Sequence, residues 1–190
     1  MRKPTTENPD KRDAYHHGDL RRTLLEAARN EISANGAQSL SLASLARRAG
    51  VAQSAPYRHF ADRDELLAGV ATHEFEAFTE ALLAAAAAGP EAGAVKRICA
   101  AYLCFGEENV QLYRLMFASG LVAGAPKESE LLKAALASFR PLLDRVSDTS
   151  PRRARAAANA IWAQLHGFVM LKADGLLTEP SEELLEGLMI

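Results

Sequence analysis

Between positions 53 and 59 the chain gathers Gln53, Ser54, Tyr57, Arg58 and His59 around Ala55 and Pro56. These are side chains that hydrogen-bond phosphate oxygens and base edges, so the chemistry on offer is recognition of a nucleic acid. Nothing equally dense points to catalysis. The sequence holds no HExxH, no GxSxG, no phosphate-binding glycine loop and no GxGxxG. Its five histidines, at 16, 17, 59, 73 and 166, form no ligand set with a cysteine. His16, His17 and Asp19 could catch a metal but lack a fourth ligand, so polar surface is the plainer reading. Cys99 and Cys104 lie five apart, roughly 140° around a helix, which suits two buried free thiols better than a shared metal or a bridge. No metal, cofactor or enzymatic activity is expected.

The segment must be held by its neighbours. Ser41 caps a short helix with Leu42, Leu45, Ala46 and Ala49 on one face, Gly50 supplies a turn, and Val51 enters the polar stretch as a buried anchor. Before it, Leu20, Leu24, Ala28 and Ile32 recur at four-residue spacing from Asp19 to the Asn35-Gly36 stop, which predicts a longer helix. Two short helices packed on a longer one make a helix-turn-helix, whose second member fits a DNA major groove, although the same pair also serves as plain packing. Gln53, Ser54, Ala55, Tyr57, Arg58 and His59 are then left to face outward or toward phosphate.

Asp62 caps a fourth helix in which Leu66, Leu67, Val70, Ala71, Phe75, Phe78 and Leu82 recur at three and four; continued through Ala84–Ala88 to Gly89-Pro90, it spans about 40 Å. Further helices are predicted over 95–105, 110–119, 131–146, 153–172 and from Ser181, with breaks at Gly106, 120–126, 149–151 and 175–180. There is no strand pattern, so the expected class is all-α: a flexible basic arm over 1–14, a helix-turn-helix domain over 15–62, and a helical bundle over 63–190, to which the resemblance given below assigns ligand binding and dimerisation.

With 190 residues, 48% hydrophobic and 24% charged, the chain can bury about two-thirds of its unfolded surface and is not compositionally disordered. The longest uncharged stretch, 156–171, is shorter than the ~20 apolar residues of a membrane span, and the start lacks the apolar core of a secretory signal, so a cytoplasmic protein without a membrane partner is expected. The net charge of −2 conceals a division. Residues 1–60 carry ten basic and six acidic side chains, and the remainder 12 and 18. A polyanion would meet the front half.

The stretch LSLASLARRAGVAQSAPYRHFADRDELL, from Leu40 to Leu67, resembles the N-terminal domain of the TetR family of transcriptional repressors: a hydrophobic-alanine pair, a glycine turn, Tyr-x-x-Phe, a basic residue and Leu-Leu. YHHGDLRRTLLEAA, from Tyr15 to Ala28, is similar to the opening of helix one in a subset of them. The resemblance implies an all-helical homodimer with a DNA-binding head and a variable ligand-binding body. Matched residue by residue, it puts Ser41, Gln53, Ser54, Tyr57, His59 and Arg63 at the operator. Tyr57, His59 and Arg63 would meet phosphates, Ser41 would meet phosphate while capping helix two, and Gln53 would read adenine. Arg47 and Arg48 read as solvated flanking charges. Two residues depart from the family pattern. Ala52 replaces a serine cap, and Pro56 lies inside the recognition helix, where Ser54 could cap a helix one turn shorter.

IWAQLHGFVMLKADGLL, from Ile161 to Leu177, resembles a C-terminal body of some TetR regulators, marked by Trp162, His166 and Gly167. In the family the last two helices pair with their copies, which implies a dimer interface on 153–172 and 181–190 through Ile161, Leu165, Phe168, Val169, Leu184, Leu185 and Leu188. Tyr102, Phe105, Met116, Phe117, Trp162, His166 and Met170 could line a mostly apolar effector pocket, or simply form core, with His166 a satisfied core or interface histidine. The expected function is a repressor released from a palindromic operator by a small, mostly apolar effector, with the fourth helix as the lever through Phe75 or Phe78. A helical dimeric adaptor, or a DNA-binding regulator without an effector, stands beside it.

Overall fold

The computed structural model describes residues 9–146 and 150–187. Among them every regular element is helical. The chain divides into two compact units, Met1–Val70 and Ala71–Ile190.

The first unit opens with α1 (Pro9–Asn35), in which Leu24, Ala28 and Ile32 of the expected four-residue series are buried, Leu20 is half-buried, and Leu25 is buried beside them. The described part of this helix reaches back to Pro9, so positions 9–14 are helical and not an arm; residues 1–8 of that arm lie outside the described residues. A 3-10 turn (Ala37–Ser39) leads to α2 (Leu42–Arg48), a second 3-10 turn covers Pro56–Arg58, and α3 runs from Arg63 to Ala87. The amide of Glu65 donates to Asp62 Oδ1 (2.8 Å) and Glu65 Oε2 accepts from the amide of Ala61 (2.6 Å), which fixes where α3 starts. The unit ends at Val70, beyond the expected 62/63 boundary, because the first turns of α3 pack back on α1. A Cβ at Gly69 would come within 2.9 Å of Leu25.

In the second unit, Phe75, Phe78 and Leu82 of α3 are buried. The Arg97 guanidinium holds the end of that helix, donating to the carbonyls of Ala85 (2.9 Å), Ala86 (2.8 Å) and Pro90 (2.9 Å), groups that a helix terminus leaves unsatisfied. Then follow α4 (Ala94–Glu108), α5 (Val110–Ala118), α6 (Leu121–Gly124), α7 (Glu130–Ala137), α8 (Arg140–Leu143), α9 (Pro151–Ala173) and α10 (Ser181–Glu186). The expected loop at 120–126 therefore contains one helical turn, entered through Gly120 at φ +81°. The single helix expected over 131–146 is two. Ser138 Oγ bonds back to the Ala135 carbonyl (2.7 Å), and Pro141 has no N–H to offer the carbonyl of Ala137.

Helices α4 and α9 meet at Gly106, where a Cβ would lie 2.6 Å from both methyls of Val169, so only glycine permits the approach. On α9 the buried stripe is Ala158, Ile161, Leu165 and Val169. This corrects the expected dimer face. Ile161, Leu165, Val169 and Leu185 are covered by their own protomer, Phe168 and Leu184 are half-buried, and Leu188 lies outside the described residues. The opposite side of α9 presents Ala156, Ala160, Ala163 and Leu171, with Gly167 open beside them.

Cys99 is buried, its thiol pushed up to about 11 by that burial; Cys104 is exposed, contrary to expectation, with its Sγ 3.3 Å from Glu108 Oε1. Among the described residues no helix is long and apolar enough to cross a membrane, and no group of His, Cys, Asp and Glu could hold a metal ion. The side chains of His16, His17 and Asp19 lie outside that description.

Candidate functional site

The polar segment is pinned at both ends. Ser41 and Ser44 form a reciprocal cap: the amide of Ser44 donates to Ser41 Oγ (3.1 Å) and the amide of Ser41 to Ser44 Oγ (3.2 Å). Ser41 Oγ acts there as an acceptor, so its own proton can still go to an anion, and capping and phosphate contact are compatible. At the other end of α2, Gly50 at φ +67° lets the amide of Val51 reach the Ala46 carbonyl (3.0 Å) and its own amide reach Arg47 (3.3 Å), closing the helix in a Schellman turn. Val51, expected to be buried, is half-buried.

No α-helix follows. Pro56 cannot donate to the Ala52 carbonyl, which instead accepts from the amide of Ala55 (2.9 Å), and the chain tightens into the 3-10 turn Pro56–Arg58. Ser54 does not cap this turn. Ala55 precedes it, and no side chain bonds to its start. Pro56 and Phe60 point inward, Phe60 being 1% exposed, while Gln53, Ser54, Tyr57 and Arg58 stand outward. Tyr57 is 57% exposed, a large aromatic with its hydroxyl offered to solvent. Ala55 and His59 are half-buried.

Arg63 is drawn elsewhere. Its Nε donates to the Leu40 carbonyl (2.9 Å) and its Nη2 to that of Ala37 (2.6 Å), tying the loop between α1 and α2 to the start of α3. Arg48 is exposed, as expected, and its guanidinium also pairs with the buried carboxylate of Glu31, which accepts from Asn35 Nδ2 (3.0 Å) and Ser39 Oγ (3.4 Å) as well. No spacing in the sequence signals this Glu31 cluster.

The second unit contains a cavity of about 720 Å³. Met116, Phe117 and Trp162 line it as expected, whereas Tyr102, Phe105, His166 and Met170 do not. Phe75, Leu136, Phe139, Leu143, Arg140, Arg155 and Asn159 complete much of the wall; sequence periodicity could not separate these from core or surface. Tyr102 belongs to the core at 0% exposure, and its Oη lies 2.7 Å from Tyr113 Oη, which in turn lies 2.7 Å from His166 Nδ1. Burial raises both phenol pKa values and lowers that of the imidazole, so all three groups are neutral near pH 7. His166 is thus the satisfied core histidine of the two readings.

Known proteins match both units. A family model described as bacterial regulatory proteins of the tetR family matches residues 24–70, and one described as the tetracyclin repressor-like C-terminal domain matches residues 95–189. A solved protein of unknown function from Rhodococcus sp. RHA1 is 32% identical, with a TM-score of 0.78 and 95% of this chain and 94% of that one covered. A TetR-family transcriptional regulator from Pectobacterium atrosepticum superposes with a TM-score of 0.64 at 23% identity, covering 91% and 90%. An uncharacterized HTH-type transcriptional regulator of Haemophilus influenzae is 53% identical over 47 residues, which amount to 24% of this chain and 23% of that protein.

Proposed function

The chain belongs to the TetR family of bacterial transcriptional regulators, and from that premise we propose that it is a homodimeric repressor that holds a palindromic operator until a small molecule occupies the cavity of its second unit. The observation that carries DNA recognition is the alternation around Pro56. Pro56 and Phe60 anchor the turn, which leaves Gln53, Ser54, Tyr57 and Arg58 with no packing role and free to meet a duplex. In this reading Tyr57, His59 and the capping Ser41 meet phosphates, Arg58 adds charge attraction, and Ser54 and Ala55 lie close to the groove. Gln53 pairs with adenine N6 and N7. Arg63 contributes by holding the loop to which α2 is attached, a positioning role consistent with its two carbonyl contacts.

Dimerisation falls on the outer face of α9. Ala156, Ala160, Ala163, Gly167 and Leu171 follow one another at three and four, with no charge from Ala156 to Leu171, although an exposed helix face is ordinarily polar. A Cβ at Gly167 would meet nothing within 4 Å of its own protomer, so a second helix has room to approach closely. Half-buried Phe168 and Leu184 flank this face. Two copies present two turns to two half-sites, which one small module needs for specific affinity. The effector acts through α3, which begins at Arg63 and carries the cavity-wall residue Phe75.

Selection of bound fragments from random duplex DNA, followed by titration in salt, tests the reading. A pseudo-palindrome should emerge, and log affinity should fall with log salt at about −0.9 per phosphate neutralised. Salt-independent association, or no enriched duplex, would point to a helical adaptor and refute the proposal.

A further inference from the structure

We infer that the cavity of the second unit takes an organic anion, an acid group carried on an aromatic or alkyl body, with the acid at Arg155 and the body running toward Phe75. The inference rests on the reading of this cavity as the effector site and adds the class of ligand.

The wall sets the terms. Phe75, Phe117, Phe139, Trp162, Leu136 and Leu143 offer apolar surface, which rewards burial of a hydrocarbon body without specifying it. Among the described residues, Arg140, Arg155, Asn159 and the indole N–H of Trp162 are the lining side-chain groups that offer directional bonds, and only the two arginines are charged. No carboxylate among the described residues lines the cavity, so a cationic ligand would find no counter-charge on its wall. The two arginines are not equivalent. Arg140 is compensated within its own turn by Asp144 (3.3 Å). Arg155 has no carboxylate partner among the described residues, and its guanidinium lies 5.9 Å from the centroid of the Phe139 ring.

The charge at this position is also placed against the helix. The first turn of α9 carries Arg152 and Arg153 at the positive end of the backbone dipole and contains no acid, and Arg155 follows directly after it, adding to the same positive charge. Such a local conflict is relieved by an anion, and conflicts of this kind concentrate at functional sites. Arg155, Asn159 and Trp162 stand at i, i+4 and i+7, one face of the helix, so a group bonded to Arg155 and Asn159 has its body delivered to the indole.

From that point the rings mark a course. Phe139 lies 5.4 Å from Trp162, Trp162 6.3 Å from Phe117, and Phe117 5.1 Å from Phe75. The sequence from guanidinium to Phe75 therefore passes from charged to wholly apolar. An amphipathic anion complements both ends; a neutral apolar molecule leaves Arg155 unused, and an amine sets like charges together.

Trp162 is the sole tryptophan of the chain, so its fluorescence reports binding directly, with calorimetry as the second measurement. Phenylbutyrate, phenylbutanamide and phenylbutylamine share a body and differ in charge. The carboxylate should bind about tenfold more tightly than the amide, roughly the worth of one charge-assisted bond, and the amine most weakly. In Arg155→Gln the carboxylate should lose its advantage over the amide, while Arg140→Gln should leave the preference in place. Equal affinities for carboxylate and amide, or a preference that survives Arg155→Gln or vanishes in Arg140→Gln, would overturn this inference and leave the cavity as an effector site for uncharged ligands. Failure of all three probes to bind would overturn the effector reading together with it.

Discussion

In the first unit, Gln53, Ser54, Tyr57 and Arg58 project from the same few residues whose alternate members, Pro56 and Phe60, are buried. In the second, Phe117 and Trp162 line the cavity and at the same time belong to the ring cluster around Phe78 and Tyr102. The outward side chains of the first unit contribute little to folding, so they can change without disturbing it. The aromatic part of that wall is packed into the ring cluster of the second unit, so a change at Phe117 or Trp162 shifts stability and binding together.

The largest effect expected is on assembly. Gly167→Glu puts a charge on the outer face of α9 where no atom of the protomer is near; it should leave the fold intact, convert dimer to monomer in analytical ultracentrifugation, and cost two or more orders of magnitude in operator affinity (about 2.7 kcal/mol or more). A dimer that persists would remove α9's outer face as the interface.

Next come substitutions that separate the two units. Tyr113→Phe removes both hydroxyl contacts and strands Tyr102 Oη and His166 Nδ1, at about 1–3 kcal/mol in chemical denaturation, and by shifting the rings it should also weaken ligands at Phe117. Gln53→Ala should leave the unfolding midpoint unchanged and relax preference at one base pair per half-site, by about 1–3 kcal/mol, when binding to single-base operator variants is compared. Tyr57→Phe should weaken specific and random duplexes alike, by about 1 kcal/mol, again with stability intact. If either first-unit variant lowered the unfolding midpoint, the contrast between exposed chemistry and chemistry built into the core would be lost.

The smallest effect is in pH. Burial depresses the pKa of His166, so the folded state disfavours its protonation. Its contribution to stability is whole above the unfolded value of about 6.5 and declines as pH falls through the lower folded value. His166→Gln should flatten that part of the stability profile when chemical denaturation is repeated across pH.

The contrast also decides what the sequence disclosed. Leu40–Leu67 could be read closely because caps, the Gly50 turn and the alternation of buried and outward residues are local, and α3 because its apolar period is unbroken to the Gly89-Pro90 stop. Ahead of Asp19 the polar residues show no apolar period, so the sequence carries no sign that α1 reaches back to Pro9. Glu31 and Arg48 are 17 positions apart, and Arg63 lies 23 from Leu40, so only tertiary structure brings them together. On α9 the apolar pattern revealed more than one covered side but not which partner covers which. Ile161, Leu165 and Val169, which the family resemblance gives to a second copy, are covered by their own protomer. Aromatic residues look alike to a periodicity argument whether they fill a core or wall a chamber, so only part of the cavity lining was found.

The contact between Gly106 and Val169 gives this chamber an unexpected control. Methyl-sized bulk at 106 would have nowhere to go except against a stiff β-branched side chain, and α9, which carries Trp162, Asn159 and Arg155, would have to be displaced. An alanine or serine there would alter the shape of the chamber without changing the identity of any wall residue. The calibre of the chamber is thus governed by an atom that the chain leaves out.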